Sequence, residues 1–98
     1  MKRITLMKIG ARWCKPCLEI ARRGTLEKFA AAHPDVKLVV HDDSEGGSTR
    51  WEDFATKWRV KNLPTLIWVA GGEELFRSED VTLADIEKQY RRALKAIE

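Results

Sequence analysis

Both cysteines of this 98-residue chain fall inside one five-residue stretch, Trp13-Cys14-Lys15-Pro16-Cys17, set between a strand-like and a helix-like segment. Two thiols separated by two residues close a small disulfide ring when the segment forms the first turn of a helix. Cys14 then lies at the helix start, where unpaired backbone N–H groups and the macrodipole favour an anion, and with it the thiolate. This points to Cys14 as a nucleophile. Cys17, one turn further on and on the same side, is expected to be more buried and less ionised, placed to attack a mixed disulfide from within. Pro16 supplies a helical φ and lacks an N–H that the first turn leaves unpaired anyway. Lys15 adds a positive charge beside Cys14, a small effect for an exposed side chain.

The flanking residues divide into elements by their periodicity. Arg3 to Ile9 reads as a central strand with two apolar faces, ending at Gly10. From Cys14 to about Ala32, Leu18, Ala21, Thr25, Phe29 and Ala32 recur at helical spacing and predict one long helix, bent at Gly24 and stopped by His33-Pro34-Asp35. Val36 to His41 reads as a second buried strand. Asp42 to Ser48 reads as a loop, and Thr49 with Glu52 as a capping box opening a helix over about 50–59, with Trp51, Phe54, Ala55 and Trp58 on one face. Thr65 to Ala70 and Glu73 to Arg77 flank Gly71-Gly72, the signature of a two-residue hairpin, and Trp68 reads as core. Thr82 with Asp85 opens a last helix, with Leu83, Ile86, Tyr90, Leu94 and Ile97 as its buried stripe. The order is βαβαββα: an α/β fold with a four-stranded mixed sheet flanked by helices, occupying residues 1–98 as a single domain.

These residues resemble the thioredoxin family, whose active site is W-C-x-P-C, commonly with glycine where this chain has Lys15. Val60-Lys61-Asn62-Leu63-Pro64-Thr65, followed by the apolar Leu66-Ile67-Trp68-Val69 and then Gly71-Gly72, resembles the family's second signature, a cis-proline opposite the CxxC at the start of a strand. The resemblance spans roughly residues 3 to 97 and implies a minimal thioredoxin-like core, closer in length to glutaredoxins. It implies a thiol-disulfide oxidoreductase acting on protein disulfides, with Cys14 and Cys17 as the redox-active pair and no other cofactor. Electrons would come from a thioredoxin-reductase-like enzyme or a small thiol. Trp13 is implied to be a half-exposed ring beside the disulfide, and Leu63 with Pro64 the edge against which an extended substrate pairs. Alternatives are a glutaredoxin-like or disulfide donor and isomerase activity, or a protein-binding module whose cysteines idle.

Three positions depart from the family pattern. Lys8 stands six residues before Cys14, where thioredoxins usually carry a buried aspartate. A charged lysine has no acceptor to relay the Cys17 proton; its charge favours the Cys17 thiolate and hence the reduced pair. Two other readings are that Lys8 snorkels to water, or that it pairs with Asp42 or Asp43 while His41 relays the proton. Arg22 stands where many thioredoxins have a helix-kinking proline, and Asp80 where they have a groove glycine.

Composition narrows the class. Eighteen basic and fifteen acidic residues leave a net charge of +3 without a long single-sign run. This is a soluble balance rather than a nucleic-acid-binding one; Arg91-Arg92 and Lys95 read as a solvated helix end. The apolar run after Met1-Lys2-Arg3 is broken by Lys8 and Arg12 and is too short for a signal peptide, and no stretch is long enough to span a bilayer. A reducing, cytoplasmic setting and a monomer are the expectation. His33 and His41 match no common zinc spacing with the cysteines, so no metal is expected.

Overall fold

The computed structural model describes residues 3–11, 13–43 and 56–98. Strand β1 (Ile4–Ala11) leads into helices α1 (Lys15–Arg23) and α2 (Thr25–Ala32), followed by β2 (Lys37–Asp43), the hairpin β3 (Thr65–Ala70) and β4 (Glu73–Ser78), and helix α3 (Leu83–Ala96). The strand order is β2-β1-β3-β4, with β1 parallel to β2 and antiparallel to β3. The mixed four-stranded sheet is the expected one. β1 and β3 are its two inner strands, and both are almost wholly buried because neighbouring strands pair their edges and packed side chains cover both of their faces.

The predicted long helix is two helices. Gly24 adopts a left-handed conformation, φ 63°, capping α1 through its N–H to the Ala21 carbonyl and starting α2 as its N-cap. A single left-handed residue turns the chain and resets the helical phase. The predicted stripe therefore holds only in part: Thr25 and Phe29 are buried as predicted, but Leu18, Ala21 and Ala32 are exposed, and Cys17, Ile20 and Leu26 face the core in their place. His33 ends α2 as predicted. β2 is also less buried than its apolar run suggested. Val40 is 43% exposed, since β2 has a pairing partner only in β1 among the described residues.

Gly71 and Gly72 turn the hairpin with φ 60° and 79°, the positive pair that a type I′ turn demands. A bulge between Trp68 and Val69 breaks the β3–β4 register. Thr82 caps α3 by accepting the Asp85 N–H at 3.1 Å, as the sequence predicted. Ile86 and Ala93 are fully buried, Tyr90, Leu94 and Ile97 partly so, whereas Leu83 is 40% exposed because it lies on the first turn, ahead of the packed part of the helix.

One side of the sheet forms the main core, in which Leu6, Leu66 and Trp68 meet Ile20, Leu26, Phe29 and Ile86. On the other, Ile9, Ile67 and Val69 are covered by Trp58, Val60 and Leu63. Of the predicted helix over 50–59, residues 56–58 are helical; the capping box, Trp51, Phe54, Ala55 and most of the acidic loop lie outside the described residues.

Lys8 does not snorkel. It is only 2% exposed, because it sits mid-strand in β1 between Val40 of β2 and Leu66 of β3.

Candidate active site

The chain leaves β1 at Ala11 and enters α1 within three residues, a tight turn closed by the Cys14 N–H donating to the Ala11 carbonyl at 3.2 Å. Cys14 is the N-cap of α1, with extended backbone angles (φ −94°, ψ 115°). Its Sγ takes the place of the usual capping oxygen and accepts the Cys17 N–H at 3.4 Å. The Cys14 carbonyl receives the Leu18 N–H at 3.0 Å, so the helix begins immediately. Pro16 lies in this first turn, where its missing N–H costs nothing. The first turn carries no acidic residue, and Lys15 is exposed beside the pair.

Both cysteines are free thiols, and they are unequal. Cys17 is 2% exposed and Cys14 8%, the order expected from the helix position of each. Burial pushes the Cys17 thiol up to about 11, with its hydrogen bond to Cys14 adding to the rise; the Ala11 backbone and the charge of Lys8 pull the other way and lose. A folded-state value above the ordinary one means that the unfolded chain loses this proton first as pH rises. The reduced protein is therefore expected to lose stability between about pH 9 and 11, where the disulfide form, lacking this proton, does not lose it. Thermal melts of both forms across that range check this; parallel pH profiles would contradict it.

Ala11, Cys14 and Cys17 form one small cluster, and Leu63 packs against it from the segment before β3. Leu63 lies 46 positions after Cys17 in the chain, and the antiparallel pairing of β3 with β1 brings them together. The Leu63–Pro64 peptide is cis and Pro64 is buried; Thr65 Oγ1 donates to the Asn62 carbonyl at 2.6 Å and closes that turn. Trp13 is 54% exposed on the rim. The site residues read from the sequence, Trp13, Cys14, Lys15, Pro16, Cys17, Leu63 and Pro64, thus gather at one end of the sheet, and Lys8 is buried in the strand leading to them.

A shallow groove runs from Pro16 along Ile20 and Lys28 to Val81 and Leu83. Its far wall is held by a residue that sequence reasoning missed. Gln89 is 9% exposed on α3; its Oε1 accepts the Trp68 Nε1–H at 2.8 Å, and its Nε2 donates to the Asp80 carbonyl at 2.9 Å and to Ser78 Oγ at 3.2 Å. A glutamine on a helix gives no sign in the sequence that it will be buried. Arg22 instead points outward, paired with Glu19 at 2.8 Å, and the helix break lies two residues later at Gly24. His33 is occupied elsewhere, its ring tilted against those of Phe29 and Tyr90 and hydrogen-bonded to Glu87 at 2.9 Å.

A mixed sheet of this order with a CxxC pair capping the first helix, opposed by a cis-proline turn, defines the thioredoxin-like fold. The family model for thioredoxin matches residues 1–92, and the chain belongs to the thioredoxin family. It is 35% identical over 75 residues to Thioredoxin-2 of Saccharomyces cerevisiae, which covers 76% of this chain and 65% of that protein. It is 24% identical over 95 residues to a Thioredoxin H-type of Populus jackii, covering 97% and 63%. The solved thioredoxin of Trypanosoma brucei brucei superposes with a TM-score of 0.76 at 28% identity, over 94% of this chain and 75% of that one. The chain spans roughly three fifths of the length of the curated relatives it matches.

Proposed function

We propose that this protein reduces protein disulfides by dithiol exchange. The observation that carries the reading is the Cys14 sulfur at the N-terminus of α1, receiving the Cys17 amide at 3.4 Å, with Cys17 itself one helical turn behind. Amide hydrogens directed at a sulfur favour it as an anion, the form that attacks. Cys14 Sγ attacks one sulfur of a substrate disulfide, the S–S bond breaks, and the departing thiolate takes a proton from solvent. Cys17 Sγ then attacks Cys14 Sγ, losing its own proton; the mixed disulfide breaks, the second substrate sulfur leaves as thiolate, and Cys14–Cys17 remains as a disulfide. Two electrons pass from the pair to the substrate, and no organic cofactor is needed.

Leu63 and Pro64 form the edge proposed to receive the substrate backbone, and Trp13 and Pro16 the rim beside it; their support is that Leu63 packs on the cluster that holds both cysteines and that Trp13, next to Cys14 in the chain, is exposed. The pair is returned to its dithiol form by a reductase or a small thiol, in a reducing compartment such as the cytoplasm. The test is a Cys17→Ser variant incubated with a disulfide-bonded protein such as insulin. It is expected to accumulate a mixed disulfide through Cys14, visible as an adduct by mass spectrometry and released by dithiothreitol. Absence of any adduct, with the variant folded, would overturn the reading.

A further inference from the structure

The dithiol mechanism above leaves one buried charge without a task. Lysine is almost never fully buried, yet Lys8 is 2% exposed in an inner strand of the sheet. It follows Ile4 and Leu6 along β1 at two-residue spacing, which places it on the same sheet face, the one covered by α1 and α2 and to which α1 turns Ile20. Three residues on, β1 ends at Ala11, which shares one small buried cluster with the two cysteines. Lys8 lies close enough for its charge to act on the Cys17 thiol.

The proposed cycle has one step that such a charge serves. The first attack uses Cys14 at the helix end. The second needs Cys17 as a thiolate, and burial works against that ion. A negative charge develops on Cys17 Sγ in a site with little water, where a nearby cation acts more strongly than in solvent. Among the described residues the titratable groups acting on Cys17 are Cys14 and Lys8, and once Cys14 is tied in a mixed disulfide only Lys8 is left.

We propose that Lys8 is a positioning residue for the resolving step, its buried ammonium stabilising the Cys17 thiolate as that sulfur attacks the mixed disulfide. This rests on the dithiol reading above. The Cys17 proton goes to solvent, the Cys14–substrate S–S bond breaks with the substrate sulfur leaving as thiolate, and the Cys14–Cys17 bond forms. Removing the charge therefore slows resolution and leaves the first attack alone.

Stopped-flow reaction of the reduced protein with one equivalent of 5,5′-dithiobis(2-nitrobenzoate) separates the two. The first thionitrobenzoate released reports attack by Cys14, and the second reports displacement by Cys17. For Lys8→Met at pH 7 the second phase is expected to slow severalfold, as removal of a cation that favours the developing thiolate implies, with the first phase changed less than about twofold. The rise of the second phase with pH should also move to higher pH, which a merely structural role would not produce. Lys8→Gln, equally uncharged but polar, is the second variant, and circular dichroism establishes that each is folded. An unchanged second phase in either folded variant overturns the role of Lys8. Failure of Cys17→Ser to release a single thionitrobenzoate from Cys14 would instead overturn the dithiol reading, whatever Lys8 does.

Discussion

A Cys14→Ser variant is expected to lose all measurable disulfide reduction while folding as well as the parent. Serine is among the best N-cap residues, and its hydroxyl can accept the Cys17 amide that Cys14 Sγ accepts now. Loss of activity would then report chemistry rather than unfolding. Cys17 cannot stand in. With its thiol pushed up to about 11 it carries little thiolate at pH 7, and it is buried in the cluster with Ala11 and Cys14. Insulin reduction followed by turbidity measures the activity, and thermal unfolding the fold. A variant that still turned over substrate would refute Cys14 as nucleophile. The same variant separates an enzyme from a docking module, because a module whose cysteines idle keeps its protein partner after the substitution and an exchange enzyme loses its covalent hold.

The second large effect is on stability. Trp68 is fully buried, edge-on to Phe29 at 5.8 Å between ring centroids and stacked on Phe76 at 6.1 Å. Trp68→Ala removes the centre of the main core at a cost of about 3–5 kcal/mol. It also strands the Gln89 Oε1 acceptor inside the protein, for about 1–3 kcal/mol more. Domains of this size are stable by about 5–15 kcal/mol, so the variant is expected to be partly unfolded at 37 °C. Trp68→Phe keeps most of the packing and loses the hydrogen bond, so its loss should be confined to about 1–3 kcal/mol. Urea unfolding followed by circular dichroism gives both values. A loss below about 1 kcal/mol for Trp68→Ala would mean that the core does not depend on this ring. Gln89 ties this packing to the groove, since the same amide holds the Asp80 carbonyl; loosening the core should loosen the wall beside the site as well.

The features legible in the sequence alone are local. The CxxC with its proline, the Gly71-Gly72 turn, the Thr82 cap and the stop at His33 each depend on the backbone preferences and capping chemistry of a few adjacent residues, and each stands where the sequence placed it. The resemblance of Leu63-Pro64-Thr65 to a family signature supplied the one long-range expectation, that this turn faces the cysteines, and Leu63 does pack against them. Burial was legible only where elements were correctly bounded. Gly24 reads in sequence as a bend, yet its left-handed φ separates two helices and exchanges which residues face inward, so Leu18 and Ala21 were misread and Ile20 and Leu26 overlooked. Lys8 and Gln89 were decided by tertiary structure alone. Whether a polar side chain meets water depends on what distant segments lay over it: two flanking strands for Lys8, and the Trp68 indole with the residue 78–80 turn for Gln89. A polar group is buried when such segments bring it partners or a use for its charge, and no window of neighbouring residues contains that information.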